Sequence, residues 1–187
     1  MRSSLKALDD FLVATEKTCS PKGDHQASVE WKPPPPGSFK VNVDGALFSR
    51  SKQVGVGVMV RDEKGSVIAA MSRKLDLPLG ALETEAKALE IGVSFAEDVG
   101  LRDVVFEGDS QLVINAIHGI AEAEASVQNI VLGVLRKAQG FRTFDFLHVK
   151  RQGNAPAHLL AQHAQNVENM EVCLEDCPSQ NSTCLCT

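Results

Sequence analysis

Residues 39–70, FKVNVDGALFSRSKQVGVGVMVRDEKGSVIAA, decide how the chain folds. Apolar residues recur here with period two. Phe39, Val41 and Val43 alternate with Lys40, Asn42 and Asp44. After a polar turn, Val54, Val56, Val58 and Val60 share one face, with Gly55 and Gly57 on the other. Residues 61–65 read as a turn with Gly65 where a positive φ is useful, and residues 66–70 return as a third strand. Three strands joined by short turns predict an antiparallel meander.

C-terminal to the meander the period changes. Pro78-Leu79-Gly80 breaks the chain, and Leu82, Ala86, Leu89, Val93 and Ala96 then follow helical spacing up to Gly100. Residues 103–107 (DVVFE) are too short for a helix and read as a fourth strand. Gly108-Asp109-Ser110 opens a short helix through Leu112, Val113, Ile114 and Ile117 that stops near Gly119. A helix over 126–138, a strand over 143–149 and a last helix with Pro156 in its first turn complete the order βββ-α-β-α-α-β-α. This order predicts an α/β fold: a mixed five-stranded sheet, the meander plus two strands, with flanking helices.

Outside this domain, expected over 39–166, the chain changes character. Leu5, Leu8, Phe11 and Leu12 predict a short amphipathic helix, and Pro33 to Pro36 stiffen a linker behind it. Residues 167–187 read as an acidic tail without fixed structure. They hold Cys173, Cys177, Cys184 and Cys186, whose spacing leaves a zinc site as a minor alternative. Net charge is −5. The acidity sits in the tail and the domain is nearly neutral, without the basic stripe of a strong nucleic-acid binder. No apolar run is long enough to span a bilayer and the N-terminus lacks a secretory pattern, so an intracellular, nuclear or cytoplasmic monomer without membrane contact is expected.

Ligands in such sheets sit at the carboxyl ends of strands where connections diverge, and acids gather there. Asp44 ends the first strand beside Gly45, and Asp109 follows the fourth. Glu85 lies about 60° from the centre of its helix's apolar stripe, so it leans over the sheet. Singly, Asp44 fits a turn, Asp109 a helix cap and Glu85 a solvated helix face. Together they form a site that needs a compensating hard cation, Mg²⁺ or Mn²⁺. Two such ions would hold the attacking water and the leaving oxygen of a phosphodiester in line, which points to phosphodiester hydrolysis.

The runs FKVNVDGA, VGVGVMVRDEKGSVIAA, ALETEAKALEIG, VVFEGDSQLVINAI and HVKRQGNAPAHLLAQHA resemble type 1 ribonuclease H. More closely, they resemble plant ribonuclease H-like domains related to non-LTR retrotransposon reverse transcriptases. The resemblance spans 39–166 and implies a two-metal nuclease that cuts the RNA strand of RNA–DNA hybrids with four acids. Three of these fall on Asp44, Glu85 and Asp109 as catalytic metal ligands. The fourth position holds His158, an auxiliary ligand or proton carrier that favours Mn²⁺ over Mg²⁺. Asn42, Ser110, Asn115, Lys150 and Arg151 are expected to contact the substrate, and His148, on the strand of Phe144 and Phe146, to be packed rather than catalytic. Two functions stay open: a metal-dependent ribonuclease, and a catalytically weak or inactive module that binds nucleic acid or protein.

Overall fold

In the computed structural model, which describes residues 32–174, the period-two stretch forms β1 (Phe39–Phe48), β2 (Gln53–Arg61) and β3 (Val67–Leu75). They pair antiparallel, with Val43 opposite Val58 and Val58 opposite Met71. The helix α1 (Ala81–Asp98) carries the chain to β4 (Asp103–Gly108), which lies parallel to β1 with Asn42 opposite Glu107. Two short helices, α2 (Gln111–Ile117) and α3 (Gln128–Ala138), lead to β5 (Thr143–His148), parallel to β4. One 3-10 turn, Arg151–Asn154, enters α4 (Ala155–His163). Among the described residues no helix is long and apolar enough to cross a membrane.

Among the described residues the sheet has six strands rather than five. Met170–Leu174 forms β6, antiparallel to β3 at the sheet edge, giving the order β5-β4-β1-β2-β3-β6. It falls inside the segment read as an acidic tail. Its apolar residues Met170, Val172 and Leu174 alternate, but over only five residues and on the more exposed side, so the strand is set by pairing with β3 rather than by core burial. Cys173 lies in β6 opposite Ala70. The expected N-terminal helix and Cys177, Cys184 and Cys186 lie outside the described residues. The proline run is more than a linker: Pro34 is buried, and Ser38 N–H closes a turn on the Pro35 carbonyl at 3.0 Å.

The two faces of the sheet are built differently. On one, Val41, Val43, Val56 and Val58 meet Ala86, Leu89, Val93 and Ala96 of α1 in a single apolar core. Phe106 extends it by stacking on Phe146, ring centroids 5.2 Å apart. Full burial of each such valine contributes roughly 1.5–3 kcal/mol. On the other face, α4 lies so close to β2 that a Cβ at Gly57 would stand 2.1 Å from the Ala157 carbonyl oxygen. The Val-Gly alternation of β2 therefore serves two neighbours, valine side chains for α1 and bare backbone for α4. Ser72 ties the same helix down by donating to the Leu160 carbonyl at 2.7 Å.

Replacing Gly57 by alanine should therefore cost about 1–3 kcal/mol in urea unfolding, since neither backbone can yield. Gly133→Ala in α3, where the nearest atom to a new Cβ is Glu90 Oε1 at 3.5 Å, should instead gain about 0.5–1 kcal/mol from helix propensity.

Candidate active site

Parallel pairing of β1 with β4 decides where the acids arrive. Asn42 stands opposite Glu107, so two residues further on Asp44 and Asp109 reach the same end of the sheet. The first turns of α1 come down on Gly45, where a Cβ would lie 2.6 Å from Thr84 Cγ2. That close approach brings in Glu85, the residue after Thr84. Oxygen atoms of Asp44, Glu85 and Asp109 all lie within 4.8 Å of one another. They stand in an open cleft of about 500 Å³ whose walls include Ala46, Phe48, Thr84, Arg151, His158 and Gln162.

This crowding shows in the protonation of the acids. Burial, with the Asp44 and Asp109 charges adding to it, pushes Glu85 up to about 8, although the Gly45 N–H donates to its carboxylate. Burial, and then the Asp109 charge, pushes Asp44 up to about 6 against the lowering effect of a hydrogen bond from His158. A divalent cation would reverse both shifts, because it supplies the positive charge that the three carboxylates lack. The donors are all hard oxygens, so the residues present fit Mg²⁺ or Mn²⁺.

His158 does not join the acid cluster. Its Nδ1 is 2.8 Å from Asp44 Oδ2, while Nε2 is 3.2 Å from Arg151 Nη2 and 3.0 Å from Gln162 Nε2. A guanidinium only donates, so Nε2 accepts and Nδ1 carries the proton that it gives to Asp44. The expected ligand is in this geometry a residue that orients Asp44, because its metal-facing nitrogen is already engaged.

Of the expected substrate contacts, Arg151 alone lines the cleft. Asn42 is fully buried and hydrogen-bonded to Glu107 and Asn154, which removes it from any substrate. Ser110 is the N-cap of α2, its Oγ 3.5 Å from Val113 N. Asn115 accepts from Gln111 at 2.8 Å one turn along α2, and Lys150 is exposed outside the cleft walls. His148 is exposed, not packed, because β5 is a sheet edge and His148 ends it; its Nε2 lies 3.2 Å from the Asp109 carbonyl oxygen. Sequence reasoning passed over Asn154, which is wholly buried and donates to the Val43 carbonyl at 2.8 Å. The signal available was an asparagine four residues before His158, at the entry of the same helix.

Comparison with known proteins places the family and the fold. The reverse transcriptase-like family matches residues 42–164, the span from Asn42 in β1 to the residue after α4. The chain belongs to that family. This reverse transcriptase-like domain has the ribonuclease H-like fold. It superposes on RNase H1 from the halophilic archaeon Halobacterium salinarum with a TM-score of 0.65 at 24% identity, covering 70% of this chain and 98% of that one. An N-terminal RNase H domain from Mycobacterium tuberculosis gives 0.63 at 21% identity, over 69% of this chain and 94% of that one. LC11-RNase H1, solved in complex with an RNA/DNA hybrid, gives 0.62 at 22% identity, over 68% and 96%. No curated protein sequence matches the chain.

The acid cluster has a consequence for stability. A carboxylate whose folded pKa is raised adds stability that is complete below its unfolded value near 4 and is lost as pH rises through the folded value. With chelator present, the domain should lose stability from about pH 4 to above pH 8, as Asp44 and then Glu85 ionise. Glu85→Gln should melt at least about 4 °C above wild type at pH 9 and at nearly the same temperature at pH 4, by thermal unfolding. Equal melting curves at pH 9 would show that burial and the neighbouring carboxylates do not raise Glu85 as described.

Proposed function

We propose that this reverse transcriptase-like domain is a metal-dependent ribonuclease that hydrolyses the RNA strand of RNA–DNA hybrids. The observation that carries the reading is the convergence of Asp44, Glu85 and Asp109 within 4.8 Å at the floor of an open cleft. The crystal structure of LC11-RNase H1 in complex with an RNA/DNA hybrid supports the choice of substrate. Asp44, Glu85 and Asp109 would hold Mg²⁺ or Mn²⁺, which supplies Lewis-acid stabilisation of the phosphodiester and a nucleophile at neutral pH.

The other roles belong to this chain's own side chains. His158 donates Nδ1–H to Asp44 and keeps one carboxylate oxygen aimed. Arg151 stands at the cleft wall, where its guanidinium is free to leave His158 for a substrate phosphate. Ala46 and Phe48 continue β1 along the cleft and offer apolar surface to the sugar face of a bound strand. An intracellular, nuclear or cytoplasmic setting goes with such a substrate.

One observation favours a second reading. With His158 at the fourth position and tied to Asp44, the site has three carboxylates, which lowers its charge and its hold on cations. That supports a binding module of weak or no activity. Cleavage of a labelled RNA–DNA hybrid in Mg²⁺ and in Mn²⁺ separates the two. The nuclease reading expects cleavage by the wild type, faster in Mn²⁺, and background levels for Asp109→Asn. Equal rates for wild type and Asp109→Asn would remove the acids from the chemistry. Hybrid binding without cleavage in either metal would establish the module.

A further inference from the structure

Beneath the acids, a line of buried polar side chains joins the interior of the sheet to Asp44. Lys40 and Glu107, only 4% and 7% exposed, pair Nζ to Oε1 at 2.6 Å. Asn42 Nδ2 donates to Glu107 Oε2 at 3.0 Å and reaches Asn154 Oδ1 at 3.3 Å. Asn154 Nδ2 in turn donates to the Val43 carbonyl at 2.8 Å and reaches Asp44 Oδ1 at 3.3 Å. Both asparagines are completely buried.

The direction of every bond in this line is fixed from the Lys40 end. An ammonium only donates, so Glu107 accepts. A carboxylate only accepts, so Asn42 must turn its NH₂ toward Glu107. Asn154 must then present Oδ1 to that NH₂, which leaves its own NH₂ for Val43 and Asp44. Reversing either amide would set oxygen against oxygen at a completely buried position. Asn42 shows the constraint directly, since its Oδ1 is buried without a partner. The amide forgoes an acceptor bond in order to present its donors.

We propose that Lys40 and Glu107 are positioning residues for the acid site: through Asn42 and Asn154 they hold the Asp44 carboxylate facing Glu85 and Asp109. This rests on the reading that the acids bind a divalent cation. A buried ion pair adds little stability over apolar residues of similar volume. Its presence beneath the site, Lys40 four residues before Asp44 and Glu107 two before Asp109, is explained by orientation. Asp44 is then held from two sides, by Asn154 at Oδ1 and by His158 at Oδ2.

The test uses the full chain and Mn²⁺ affinity by calorimetry, with the melting temperature of the metal-free protein measured beside it. Lys40→Met/Glu107→Leu removes both charges together. It should bind Mn²⁺ about tenfold more weakly, the scale of effect seen when partners of metal ligands are lost. Without metal it should still unfold cooperatively, at a lower temperature because Glu107 also faces the partly buried Arg61 guanidinium. Asn154→Ala should cost a similar factor in the wild type and little more in the double variant, because both break one line. Lys40→Arg should restore wild-type affinity. Wild-type affinity in the double variant, or losses that simply multiply, would overturn the proposal. Should the double variant not fold, Asn42→Ala breaks the line while leaving the ion pair intact, and the same outcomes apply. Should the wild type bind no Mn²⁺, the metal reading fails by itself. The line is then decided on the metal-free protein: the Asn154 side-chain NH₂ resonances shift in Asn42→Ala if it exists and stay in place if it does not.

Discussion

The structure turns on the parallel pairing of β1 with β4. Its register, Asn42 opposite Glu107, delivers Asp44 and Asp109 to one end of the sheet and stacks a buried polar layer under them. A parallel pair needs a crossover, and α1 within that crossover is the element that carries Glu85. Strand pairing, helix placement and the acid cluster are thus one constraint. A slip of one residue between β1 and β4 would move one acid to the other face of the sheet and dissolve the site.

The two faces of the sheet divide the labour. Packing of α1 on the valines of β1 and β2 supplies the apolar burial that stabilises the domain. The α4 face gives some of that up. Bare glycine backbone, Ser72, the asparagines and the Lys40–Glu107 pair occupy positions that apolar side chains would fill in a purely structural sheet. In exchange, α4 sits close enough for Asn154 and His158 to reach Asp44. The carboxylates concentrate the remaining cost, since burial and mutual repulsion push Glu85 up to about 8 and Asp44 up to about 6.

What the sequence discloses follows from where the signal is local. Alternation in 39–70 and helical spacing in 82–96 specify β1 to β3 and α1, because each pattern faces a continuous apolar core. The acids at strand ends are legible for the same reason: element boundaries place them. His158, Asn42 and His148 are harder, since their roles depend on partners that are distant in sequence. Asn42 looks like a residue of the Asp44 face until Glu107, 65 positions away, takes its amide. His148 shares the strand face of Phe144 and Phe146 but ends an edge strand, where that face no longer means burial. β6 escapes because its alternation, Met170, Val172 and Leu174, spans only five residues of a segment that reads as an acidic tail; it forms by pairing with the edge of β3.

The central claim is that Asp44, Glu85 and Asp109 form a divalent-cation site, with His158 outside it. Anomalous diffraction from crystals grown with Mn²⁺ tests this most directly. The account predicts Mn²⁺ density among the three carboxylates, with His158 Nδ1 still bonded to Asp44. Density at His158, with Asp44 turned away from Glu85 and Asp109, would contradict it, and so would no density at the acids in saturating Mn²⁺.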